Sequence, residues 1–512
     1  MSGSITIPNY PDSNRVPGVW AVVDASKANT GLPNQRALLV GQMLSGVGGG
    51  TANPGFPVIS AGLGDAQTSF GAGSMLSVMV ERYRAMDPTG ELWCLPLADA
   101  GSATAASATI TFTGGPATGP GTIYLYVNGN RVAVPVNTGD TATVIGASTA
   151  SAINTWSSPG ANPMEVTATA ATGVVTLTAR NKGTVANSFT VMLSYLGISG
   201  GDLAPAGQIN IPGLTVPTIT AFTGGATDPT IANFLPNLAD QPYDFIISPY
   251  TDTTSMNAVQ SFLGDQAGRW NWASGLFGHH FTAVQGTFGT RTTYGSGRNN
   301  QHESVISYYN SPSPPIYWAV DFGAASCITL RADPALPVGG LGGGMKMNVV
   351  APHVADRDTF NERASLLYDG LTTFVADASG QVMVERAITT YQYNAVGSRD
   401  NSYLDVNVPF CLMAYIRGLK QTLQTQFQRV KLVVDGSRIP VGQAMVTSQT
   451  IKYTVIADYV RQSNIGIVQN PTVFQQQVQA QNAGNGEVKL LLPVMLANQL
   501  YDIAMNVQFT RP

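Results

Sequence analysis

The chain has 512 residues, a formal net charge of −4 and only 11% charged side chains, which excludes a general nucleic-acid binder whose affinity rests on neutralising phosphates with a basic surface. Single cores stop growing near ~250–300 residues, so two or three domains are expected. The 44% hydrophobic content, with 55 Gly and 31 Pro, predicts a turn-rich, mixed or β-rich protein, and the scattered Cys94, Cys327 and Cys411 exclude a disulfide framework.

Residues 1–35 are rich in Pro, Asn and Gly around one short strand candidate, GVWAVVDAS, which contains Val19, Trp20 and Val22. They read as an extended arm with little core of its own. This segment lacks a basic start and an apolar h-region, and no apolar run reaches the length of a membrane span, so the expectation is a soluble protein with no export signal and no membrane insertion. RALLVG then reads as a buried strand. In GSMLSVMVERYRAM, residues Leu76, Met79, Val80 and Tyr83 fall on one helical face, and ELWCLPL is a second strand. The three form the opening β-α-β of an α/β body.

The texture changes at Asp99. Residues 99–224 are dominated by Ala, Thr, Gly, Ser and Val, with short strands such as ATITFTG, TIYLYV and GVVTLTAR. Asn-Gly in VNGNRV supplies the positive φ angles of a tight hairpin turn. Mixed character resumes at YDFIISPY and continues through FTAVQGTF, HESVISYY and MKMNVVAP. Residues 36–98 and 225–384 are therefore read as one body interrupted by a β-rich insertion.

ERAITTYQYNAVGSRDNSYLDV then concentrates five charges, Glu385, Arg386, Arg399, Asp400 and Asp405, beside Tyr391, Tyr393 and Tyr403. Paired carboxylates suit an acid and a base, as in a glycosidase. However, Glu385 opens a strand-like segment, and Asp400 and Asp405 lie on the way to a helix. The reading adopted is an ion-paired structural joint of Glu385, Arg386, Asp400, Tyr403 and Asp405. It opens a C-terminal domain spanning 385–485.

A long helix over about 409–430 follows, with Val408, Leu412, Tyr415, Leu419, Leu423 and Phe427 on one stripe expected to pack on that domain's sheet, and Pro409 tolerable in the first turn. From Val406 onward nine Lys or Arg face four Asp or Glu, a local excess of +5 against −9 for the rest. Arg417, Lys420, Arg429 and Lys431 lie in a stretch with no acid. The segment 486–512 reads as an arm, where Ile503, Met505, Val507 and Phe509 alternate with Ala504, Asn506, Gln508 and Thr510 in the pattern of a half-buried strand that needs a partner.

No enzyme chemistry emerges. His279 and His280 are adjacent and point to opposite faces of a strand, and His302 beside Glu303 has the same defect. They read as turn and edge histidines with no metal site. GGLGGGMKM lacks the Lys-Ser/Thr ending of a phosphate loop, SGVGGG fails the dinucleotide fingerprint, and no G-x-S-x-G occurs. No catalytic residue, cofactor or metal is expected.

Four stretches, NRVPGVWAVVDASKA, FGAGSMLSVMVERYRAMDPTGELWCLPL, the charged stretch above and LLLPVMLANQLYDIAMNVQF, resemble successive signatures of the contractile-tail sheath proteins of Mu-like bacteriophages. The β-rich insertion is similar to that family's. The resemblance implies a mixed α/β, α+β multidomain subunit of the virion tail, synthesised in the host bacterial cytoplasm. It also implies a six-fold helical homopolymer around an inner tail tube, ended by baseplate and tail terminator proteins, which contracts to drive the tube through the host envelope. Terminal arms add strands to neighbouring subunits, which assigns Val19, Trp20, Val22, Ile503, Met505, Val507 and Phe509 to inter-subunit strands. Arg417, Lys420, Arg429 and Lys431 become the tube-facing candidates. Another phage shell protein (tube or capsid) and a surface-polysaccharide depolymerase are the alternatives.

Overall fold

A computed structural model describes residues 35–46 and 48–511; the expected N-terminal arm with Val19, Trp20 and Val22 lies outside the described residues. The body opens with β1 (Ala37–Gln42), β2 (Val58–Ile59), α1 (Leu63–Phe70), α2 (Met75–Met86) and β3 (Leu92–Leu97). β1 is buried along its whole length and pairs in parallel with β3, as an uninterrupted apolar run requires when helices cover both faces of a sheet. The four residues of the predicted α2 stripe are fully buried.

The insertion follows as β4 (Ser107–Thr111), β5 (Gly121–Val127), β6 (Asn130–Val136), α3 (Ala142–Thr155), β7 (Val166–Ala171), β8 (Val174–Ala179), β9 (Val191–Leu193) and β10 (Thr218–Ile219). They build two sheets, ordered β10-β4-β8-β7 and β6-β5-β9. Asn128 and Gly129, both at positive φ, turn β5 into β6 as expected. The insertion is fastened to the body by buried polar contacts. Asn162 and Asn181 accept from the backbone N–H groups of Gly73 and Met75, each at 2.8 Å, and so satisfy donors around the start of α2. Buried Glu165 accepts from the Tyr317 hydroxyl at 2.7 Å, and Tyr317 lies under the Arg82 guanidinium, 4.1 Å away.

The body resumes with β11 (Phe245–Ile247), α4 (Thr253–Leu263), β12 (His279–Gln285), α5 (Phe288–Ser296), β13 (Glu303–Tyr308) and α6 (Pro315–Ala332). The main sheet runs β13-β12-β11-β1-β3-β2, parallel except for β2. This corrects the reading of the histidines. His279 and His280 sit on an interior strand at 0% exposure, paired with Ser304 and Ser248 at 2.8 Å each. A second sheet, β14 (Lys346–Met347), β16 (Val382–Arg386) and β15 (Thr373–Ala376) in that order, is antiparallel, with α7 (Phe360–Tyr368) preceding β15.

The remaining elements are α8 (Asn407–Gln426), β17 (Lys431–Leu432), β18 (Met445–Val446), α9 (Ser448–Asn464), α10 (Pro471–Gln477), β19 (Gln479–Gly484) and β20 (Glu487–Leu491). Their core is helical, with Tyr415 and Leu419 of α8 against Val455, Tyr459 and Phe474. The expected packing of the long helix on a sheet is thus replaced by packing on α9 and α10. Phe410 and Met413, one turn earlier, belong to the body's core instead. The expected boundary at 485/486 falls inside the turn of the β19–β20 hairpin.

Candidate functional site

The charged stretch begins where β16 leaves its sheet. Ala387, Ile388, Thr389 and Thr390 are fully buried, and the chain then makes an irregular excursion that returns alongside itself: Ile388 bridges Asp405 and Tyr393 bridges Arg399. Thr389 N donates to Leu404 O at 2.9 Å, and Thr389 Oγ1 donates to Tyr403 O at 2.6 Å. Asn407 opens α8 by donating to the carbonyls of Pro334 and Leu336, both at 2.8 Å. The excursion therefore joins β16 to α8 through a closed base.

Each carboxylate of the joint has a structural partner. Arg386 grips Asp405 with two nitrogens at 2.9 and 3.1 Å, the bidentate geometry that makes an arginine pair directional. Glu385 receives Arg363 at 3.0 Å and the Thr373 hydroxyl at 2.8 Å. Asp400 accepts from Ser402 and from the Tyr391 hydroxyl at 2.8 Å, and these bonds hold its carboxyl below the usual range. Tyr391 meets Tyr403 edge to face at 5.4 Å. All three carboxylates are thus committed as acceptors within the joint, to Arg363 and Thr373, to Ser402 and Tyr391, and to Arg386. The glycine run lies along the same strand. Gly340 and Gly344 donate to Glu385 and Val384 carbonyls, and a Cβ on Gly339 would sit 2.2 Å from the Glu385 oxygen. Backbone apposition, not phosphate, explains those glycines.

The four candidate cations do not form one surface. Arg417 is turned into the body, donating to Asp244 at 2.5 Å and to Leu276 O at 3.2 Å. Asp244 is 1% exposed, so this pair fastens α8 to the start of β11, an interior strand of the main sheet. Lys420, Arg429 and Lys431 are exposed. Phe410, stacked on Phe245 at 4.9 Å, completes the seat of α8.

The tail returns from the C-terminal elements to the joint. Leu496 bridges Val468, Gln499 donates to Ala335 O at 3.1 Å, and the Tyr501 ring lies 4.5 Å from the Arg386 guanidinium. Beyond it, residues 502–511 are exposed and unpaired among the described residues. The strand expected there does not form within the subunit, where Ile503, Met505, Val507 and Phe509 are 57, 81, 80 and 83% exposed. Asp244, Arg363 and Tyr501 escaped the sequence reading because nothing local marks partners that lie far away in the chain. Among the described residues no His, Cys, Asp and Glu group is placed to hold a metal ion, and no helix is long and apolar enough to cross a membrane.

Residues 224–390 match the family model described as the phage tail sheath protein central domain. The Mu-like prophage FluMu tail sheath protein of Haemophilus influenzae is 32% identical over 511 residues, covering 99% of each chain. Similar solved structures include a sheath tail protein from Desulfitobacterium hafniense, at 15% identity over 94% of this chain and 97% of that one, with a TM-score of 0.45. Another is a sheath tail protein from Listeria innocua, at 11% identity over 91% and 92%, with a TM-score of 0.46.

Proposed function

Since the chain belongs to the tail sheath family of Mu-like contractile phages and is a virion structural protein, we propose that it polymerises in six-fold helical rows around an inner tail tube and contracts to drive the tube through the host envelope. The observation that carries this reading is the 32% identity spanning 99% of both chains, body, joint and tail included. Copies of the chain, the tube protein, the baseplate and a tail terminator are its partners, and assembly takes place in the host bacterial cytoplasm.

Two physical features support polymerisation. The β19–β20 hairpin is a two-stranded sheet, a unit marginal on its own that gains from a further strand. The tail offers one, with an apolar side chain at every second position from Ile503 to Phe509. A tail added to the hairpin of the next copy is a heterologous contact, which propagates as an open helical filament.

The tube side is narrowed to Lys420, Arg429 and Lys431, since Arg417 is committed to Asp244. Exposed ion pairs contribute ~0–1 kcal/mol each and are screened by salt, so many such pairs template an extended sheath yet release during contraction. A Lys420→Glu, Arg429→Glu, Lys431→Glu variant should polymerise alone but fail to assemble in extended form on purified tubes at low salt. Extended assembly with unchanged salt sensitivity would remove these residues from the tube interface.

A further inference from the structure

Where the tail stops belonging to its own subunit is set by three fastenings. Main-chain bonds tie it to the C-terminal core, with Gln469 N donating to Met495 O at 2.8 Å and Ala497 N to Ile467 O at 3.1 Å. Gln499 then reaches the Ala335 carbonyl, just past α6 of the body. Last, Tyr501 lines a cavity together with the glycine loop at Gly340–Gly343, Met383, Glu385 and Arg386. Its ring lies 4.5 Å from the guanidinium, while its buried hydroxyl meets no hydrogen-bond partner among the described residues. The seat therefore recognises the ring and not the phenol. From the next residue onward the chain is exposed and carries the alternating apolar pattern.

We propose that Tyr501 on Arg386 is the clamp that fixes the point at which the exchanged tail leaves its subunit, so that tension from a neighbouring copy acts on the bracket between β16 and α8. This rests on the strand-exchange reading above. The same guanidinium holds Asp405 in two bonds, so one side chain couples the root of the tail to the joint. Pull on residues 502–511 is thus delivered to the junction of the body and the C-terminal elements, and not to the helical core alone. The clamp also limits the free length of the tail. Releasing Tyr501 lengthens the mobile segment, which lowers its effective concentration at the neighbour's hairpin and spends more entropy on capture.

The test uses purified full-length protein, Tyr501→Ala, Tyr501→Phe, Arg386→Lys and a deletion of 502–512. Sedimentation gives the minimum concentration for polymer, and hydrogen exchange of the subunit reads the amides of 496–501. Tyr501→Ala should raise the minimum concentration roughly tenfold, the scale of one lost cation–aromatic contact, and speed exchange at Gln499 to Tyr501 without moving the melting midpoint. Tyr501→Phe should match the parent, and Arg386→Lys, which keeps a charge for Asp405 but no planar face, should loosen the tail as Tyr501→Ala does. If Tyr501→Ala polymerises and exchanges like the parent while the deletion does not polymerise, the clamp is wrong and strand exchange stands. Polymer formation by the deletion at the parent's concentration would overturn strand exchange and the clamp together.

Discussion

His280 shows how one residue reports on the interior. Burial pushes its pKa down to about 3, against 6.5 for a free imidazole, with the Arg298 charge acting in the same direction. Between those two values the unfolded chain binds a proton that the folded chain refuses. Its contribution to stability is therefore complete above pH 6.5 and is lost as pH falls below it, by about 2 kcal/mol at pH 5. His279 is lowered by burial too and adds to the same trend. Denaturant unfolding of His280→Gln, measured from pH 7 to pH 5, should show a shallower loss of stability than the parent, because glutamine can still bond Ser248 but cannot take up the proton. Parallel losses in the two proteins would mean that the imidazole is not held neutral. Nothing in the sequence distinguishes these histidines from surface ones, since their partners are distant in the chain, Ser248 just after β11 and Ser304 on β13.

Among the elements, α8 holds the C-terminal unit to the body. Its first turns place Phe410 against Phe245 and Phe281, and its middle places Tyr415 against Tyr459. Phe410→Ala removes a fully buried ring and should cost about 3–5 kcal/mol, read as a lower melting midpoint for the body. A change below ~1 kcal/mol would show that α8 is not seated on the sheet. The sequence pattern located this helix but assigned it one stripe and one partner, whereas it serves two cores on different sides. Strands β1 and β3 were legible as apolar runs, and α2 through its four-residue stripe, whereas the segments of β11, β12 and β13 were read only as a return to mixed α/β character. Helix α3 was not, because its Ala, Ser and Thr residues carry little apolar periodicity. In the joint the charges were legible in the sequence, but Arg363 and Tyr501 were not, since the fold alone brings them to Glu385 and Arg386.

At the scale of the molecule, buried polar contacts fasten the described body, the insertion and the C-terminal elements to one another. Rigidity comes from buried polar docking: Arg82 holds Asp321 at 2.7 and 3.1 Å, Tyr317 ties in the insertion, and Arg417 ties α8 to Asp244. Removing one partner of such a buried pair is costly. The tail beyond Tyr501 and the two-stranded β19–β20 hairpin take no part in these contacts, and they are the elements proposed above to pair between copies. If the protein assembles as a sheath, negative-stain electron microscopy of the purified full-length protein across a concentration series will show long hollow tubes above a threshold concentration; uniform small particles at every concentration would contradict sheath assembly.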